Sequence, residues 1–170
     1  MKKIVFTLIF YFIAATAIAQ YCSCISETKD PKSETETKSG TTKSSDSYSL
    51  VIQKETSSNN LNKNSTYFLS LDANSKNFFS SNLTNNKGKI ELLLKDKSKL
   101  VLENAKCFYN PVTSGFCFTF GAVVSREQLE IILLNPIVTF SAFDILKTTF
   151  KEKKQREQQI IISCLLSEDY

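Results

Sequence analysis

A chain of 170 residues with no histidine has no access to Ser-His-Asp or Cys-His relays, His-ligated zinc or an imidazole acid–base step. Its formal net charge of +4 halves once Lys2 and Lys3 leave with a leader. Acidic and basic residues are interspersed, as in Lys95-Asp96-Lys97 and Lys151-Glu152-Lys153-Lys154, so the balance predicts no nucleic-acid partner and no anionic surface.

Lys2 and Lys3 precede an apolar run over 4–13, and Ala17-Ile18-Ala19 supplies the small-x-small pattern that a signal peptidase cuts. This predicts a signal peptide over 1–19, with cleavage between Ala19 and Gln20. The apolar stretch over 4–19 is shorter than the roughly 20 residues a spanning helix needs, and no comparable stretch follows. The expectation is a secreted or periplasmic protein with no stable membrane span after cleavage. An uncleaved anchor and a lipoprotein are the alternatives, the second disfavoured because bulky Tyr21 stands before Cys22 where a small residue is wanted.

Between Ser26 and Ser47 there is no branched-aliphatic or aromatic side chain, and Ser, Thr, Lys and Glu dominate. Such a segment buries too little apolar surface to offset its conformational entropy, which predicts a disordered tether over 20–47, serving as a spacer or a glycosylated stalk. Apolar periodicity begins at Tyr48, so residues 48–170 read as one globular domain, large enough for its own core.

Within it, period-two alternation marks half-buried strands at Tyr48-Leu50-Ile52, Tyr67-Leu69-Leu71 and Ile90-Leu92-Leu94. Leu100 and Leu102 follow a five-residue loop over 95–99, a hairpin pattern. Residues 105–109 and 116–124 form a further pair, joined through Asn110-Pro111 and Ser114-Gly115, both turn signals. At Ser125 the period changes. Ser125 and Gln128 match a capping box, and Leu129, Ile132 and Leu133 give one apolar face to a short helix that stops before Pro136. Residues 137–143 read as another strand and 151–166 as a terminal helix with Ile161, Cys164 and Leu165 facing inward. Its apolar-free first half is expected to stay exposed or to cover the sheet with Lys and Arg stems. The fold class is α+β: an antiparallel sheet of about six strands, with the short helix and the C-terminal helix on one face. The alternative is a β-sandwich with peripheral helices.

Glycine-loop motifs are absent, and the one Ser-x-x-Lys match, Ser26 with Lys29, falls in the tether. Asp72, Glu91, Glu103 and Asp144 sit near strands and leave open a carboxylate-dependent hydrolase. No catalytic, cofactor-binding or metal residue is assigned, and no cofactor is expected. Cys107 and Cys117 flank a turn centred on Val112, so a symmetric hairpin sets them opposite each other as a candidate disulfide; the rival reading makes both small core residues. Cys22 and Cys24 give two thiols of an incomplete zinc site, and five cysteines leave one for an intermolecular bridge. Asn64-Ser65-Thr66 and Asn82-Leu83-Thr84 match glycosylation acceptors. Phe78-Phe79, in a polar stretch, is a candidate partner-binding loop.

The Ala-Gln cleavage site, the meander KIELLLKDKSKLVLEN and the run SREQLEIILLNPIVTF before a terminal helix with a late cysteine resemble small secreted proteins of Bacteroidota-type bacteria. That resemblance implies compartment and fold, not a reaction. The function expected is a non-catalytic envelope-associated or secreted binding or structural module for a protein or carbohydrate partner, with a secreted carboxylate-dependent hydrolase as the alternative.

Overall fold

The computed structural model describes residues 22–31, 35–59, 62–76, 88–113 and 115–167. The cleavage site at Ala19-Gln20, the Phe78-Phe79 pair and the Asn82 acceptor lie outside them. A 3-10 turn at Cys22–Cys24 leads into β1 (Ile25–Asp30), β2 (Thr35–Ser45), β3 (Tyr48–Asn59), β4 (Asn62–Ser75), β5 (Gly88–Leu94), β6 (Lys99–Val112) and β7 (Gly115–Val124). Helix α1 (Arg126–Leu134), strands β8 (Ile137–Ala142) and β9 (Leu146–Thr149), and helix α2 (Glu152–Leu166) complete the order. The nine strands of the described residues form one antiparallel sheet, ordered β1-β2-β3-β4-β7-β6-β5-β8-β9. The architecture is α+β with a single sheet, not a sandwich of two.

Alternation does what it predicts along β3, β4, β5 and β7. Leu50, Ile52, Leu69, Leu71, Ile90, Leu92, Phe118 and Phe120 are fully buried on one face. The runs 100–102 and 105–109 turn out to be one strand. Its first half pairs with β5 and its second with β7. Between them Asn104 takes φ 57, and the extra residue switches the inward set from Leu100 and Leu102 to Ala105 and Cys107. At this corner the sheet turns from one leaf into the next.

Helix α1 carries the expected capping box: Ser125 Oγ accepts from Gln128 N, and Gln128 Oε1 accepts from Ser125 N at 2.8 Å. Helix α2 lies on the inner face across β2, β3 and β8 and packs against α1. Its amides are not left outside. Gln158, fully buried, spans the Ile137 backbone, accepting from the N–H at 2.9 Å and donating to the carbonyl at 3.3 Å. Gln155 donates to Phe150 O and Gln159 to Leu133 O. The spacing 155, 158, 162, 165 continues the apolar stripe toward the helix start, which is why these glutamines face inward.

The predicted tether is corrected outright, since β1 and β2 occupy most of it. Backbone pairing to β3 supplies the hydrogen bonds, and a few inward residues supply the packing that the composition conceals. Gly40 sits directly beneath α2: a Cβ there would lie 2.6 Å from Ile161 Cγ2. Thr42 Oγ1, buried, donates to Glu157 Oε2 at 2.7 Å, and Lys154 Nζ reaches both Glu157 oxygens at 2.8 Å. Ser44 and Thr148 share a 2.8 Å hydroxyl bond, joining β2 to the far edge strand β9. The sheet therefore curls round α2 far enough to bring a side chain of β2 within hydrogen-bond reach of β9.

A disulfide then fixes the N-terminal edge. Cys22 is bonded to Cys164 on α2 across a sequence separation of 142. The expected Cys107–Cys117 bridge does not form. The hairpin closes with Val112 opposite Gly115, so Cys107 faces Phe120 and Cys117 faces Asn110. That offset is odd in residues, and an odd offset puts the two thiols on opposite faces of the sheet. Cys107 is buried in the core and Cys117 half-buried on the outer face.

Candidate binding face

The helices and the core use the inner face, so surface chemistry is concentrated on the outer one. Registers define its rows. Phe108 on β6 stands opposite Thr119 on β7, which stands opposite Asp72 on β4; the next rows are Lys106, Gly121 and Ser70, then Val123 and Phe68. Val51 of β3 extends the Ser70 row. Phe108 is 59 % exposed and Val123 61 %, two of the largest exposures among the described apolar side chains. About 13 Å of β7 separates their rows, taking roughly 3.3 Å per residue. The floor between them is low because Gly121 has no side chain and Ser70 has a short one; a Cβ on Gly121 would approach Ser70 Cβ to 3.1 Å.

Polar groups border this strip. Thr119 Oγ1 donates to Asp72 Oδ1 at 2.6 Å. Burial, and then the Asp72 charge, push the Cys117 thiol above its ordinary range, which lowers its thiolate fraction and slows its reactions at neutral pH. Burial alone pushes Cys107 up to about 11.

The four carboxylates singled out from sequence divide. Asp72 is held by Thr119 on the outer face. Glu91, Glu103 and Asp144 gather round Lys89: the hydrogen bond from Lys89 Nζ to Glu91 Oε1, at 2.8 Å, raises the lysine's pKa most, and the charges of Asp144 and Glu103 add to it. The same bond lowers the Glu91 pKa, which keeps that carboxyl ionised at neutral pH and makes it a poor proton donor. Among the described residues, no group of three or more Cys, Asp or Glu is placed to hold a metal ion. Ser26 and Lys29 do not form a dyad. Three residues apart on one strand, they point to opposite faces; Ser26 Oγ bonds to Ser39, and Lys29 pairs with Glu27 and Glu36. Cys22, being in a disulfide, is not half of a zinc site with Cys24.

Sequence reasoning did not single out Phe108 or Val123. The signal that finds Phe108 is the turn-forming Asn104 inside β6. Without that bulge, alternation from Leu100 and Leu102 would send Phe108 inward. Comparison of the chain with family models, with characterised proteins and with solved structures returned no match.

Proposed function

We propose that this protein is a non-catalytic, secreted or envelope-associated binding module that docks a protein partner on the outer face between Phe108 and Val123. The observation that carries this reading is the pair of largely exposed apolar side chains at either end of a strip floored by Gly121 and Ser70 and bordered by Lys106. An aromatic anchor with a polar border is the pattern that concentrates binding energy in protein interfaces. The Cys22–Cys164 disulfide is compatible with an extracellular or periplasmic setting. No helix among the described residues is long and apolar enough to cross a membrane.

The test is site-specific photo-crosslinking in the producing cell's envelope, with the reactive group at exposed Lys106, or at Lys153 on α2 as the control. The expected result is a discrete protein adduct from position 106 that disappears in Phe108→Ser/Val123→Ser and is absent from position 153. Adducts that survive the double substitution would remove the face from consideration, and capture of glycan alone would replace the protein partner with a carbohydrate. The hydrolase reading has its own arm. Turnover of glycans, peptides or esters that Glu91→Gln or Asp144→Asn abolishes would make the module an enzyme.

A further inference from the structure

We propose that two copies of this chain pair through β1, antiparallel about Thr28, to make one continuous sheet across a two-fold axis. Strand β1 ends the sheet, and among the described residues no strand pairs with its other side. The edge is anchored at its start: the Cys22–Cys164 disulfide holds it to α2, and Ile25 and Ile161 both crowd Gly40. Such an edge is a template for a further strand.

The charges select the partner and the register. Glu27 stands opposite Lys38, and Lys29 opposite Glu36, on neighbouring strands. The four side chains form a chequerboard, with contacts of 3.1 Å for Lys38–Glu36 and 3.5–3.6 Å for the others. A second β1 placed antiparallel about Thr28 sets Lys29 of that copy opposite Glu27, and its Glu27 opposite Lys29. Signs then alternate without interruption across four strands: Lys38, Glu27, Lys29 and Glu36 in one row, and the reverse in the next. On the other face Thr28 meets Thr28 and Ser26 meets Asp30. Lys29 and Glu27 are 68 % and 47 % exposed, so both have room for a second neighbour.

A charged edge commonly guards against association, because an added strand must desolvate an unmatched charge. Here the guard fails for one partner in one register. A slip of two residues either way sets Glu27 against Glu27 or Lys29 against Lys29, and like charges directly opposite are unfavourable. Main-chain bonds supply the affinity and the charges fix the register, since exposed ion pairs add little by themselves. An isologous pair of this kind closes on itself and does not form filaments.

The experiment is sedimentation of protein exported through its own leader, over a range of concentrations, for the natural chain, Glu27→Lys, Lys29→Glu and an equimolar mixture of the two variants. The natural chain should dimerise. Each variant alone should dissociate at about tenfold or higher concentration, with like charges opposed twice per interface. The mixture should recover as a heterodimer, because one chain then carries lysine at both positions 27 and 29 and the other carries glutamate at both. In a Cys24→Ser background, Thr28→Cys should form an interchain disulfide on oxidation, since its partner lies directly across the axis. A natural chain that stays monomeric, a dimer indifferent to both reversals, a mixture that does not recover, or a Thr28→Cys protein that stays uncrosslinked would each overturn the proposal. The crosslink keeps the test decisive even where a reversal loosens β1.

Discussion

Breaking the Cys22–Cys164 disulfide should remove a large share of this protein's stability. The bond closes a ring across 142 residues of sequence. In the chain-entropy model, a loop of that length restricts the unfolded chain by about 5 kcal/mol, an upper figure since native disulfides commonly deliver about 2–4 kcal/mol. For a domain of this size, each kcal/mol corresponds to roughly 2–4 °C in melting temperature, so a drop of about 10 °C is expected. Cys22→Ser is the clean perturbation because Cys22 is only half-buried, whereas Cys164 is packed in the core. The assay is urea unfolding of the natural chain and of Cys22→Ser in oxidising buffer, repeated with reductant. The difference should vanish when both are reduced. Hydrogen exchange should show the loss first in β1, whose edge position leaves it little other packing. Equal midpoints for the two proteins under oxidising conditions would defeat this expectation, because the bond would then place no restriction on the unfolded chain.

Gln158→Leu should destabilise by about 2 kcal/mol or more, because it strands a buried N–H and carbonyl of Ile137; chemical denaturation measures it. Gly40→Ala should cost about 1–3 kcal/mol by overpacking, since the branched Ile161 cannot rotate clear, and Ile161→Ala in the same chain should recover part of the loss. Burial works to raise the Glu157 pKa, but the hydrogen bonds from Lys154 and Thr42 outweigh it and hold the carboxyl below its ordinary range. A depressed folded pKa gives stability that is complete above the unfolded carboxylate value and fades as pH falls through the folded one. Thr42→Val should therefore lower the urea midpoint at neutral pH, with the gap to the natural chain closing in acid. Alkylation of the native, oxidised protein should proceed in the order Cys24, Cys117, Cys107: exposure favours the first, and raised pKa values retard the other two. Mass spectrometry of timed samples reads that order directly.

The parts of this fold that were legible in the sequence are those set by short-range spacing. Leu50 with Ile52, Leu69 with Leu71, and Ser125 with Gln128 each declare strand or cap within a few residues. The parts that were not legible depend on partners distant in the chain. Strand β2 has almost no apolar side chain, and it is a strand because β3 pairs with it and α2 rests on Gly40 and Thr42. Cys22 and Cys164 meet only after the sheet curls. The candidate site was hidden by register. An extra residue at Asn104 turns Phe108 outward, and closing the next hairpin at Val112 and Gly115 sends Cys107 and Cys117 to different faces. Glutamines at 155 and 158 look solvated by composition, yet they keep the inward spacing of the helix. Polar strands, bulges and buried amides share one physical basis: the backbone's own hydrogen bonds decide them, and side-chain hydropathy carries little trace of that.

Whether the outer face is a docking surface is settled by calorimetric titration of the crosslinked partner, purified, against the natural chain and against Phe108→Ser/Val123→Ser. Both substitutions lie on solvent-exposed positions, so the two proteins should melt at nearly the same temperature. Loss of the two apolar anchors is expected to weaken binding by about tenfold or more, the equivalent of roughly 1.4 kcal/mol. Undiminished affinity in the double variant, with its fold intact, would mean that the partner docks elsewhere and that this face is not the binding site.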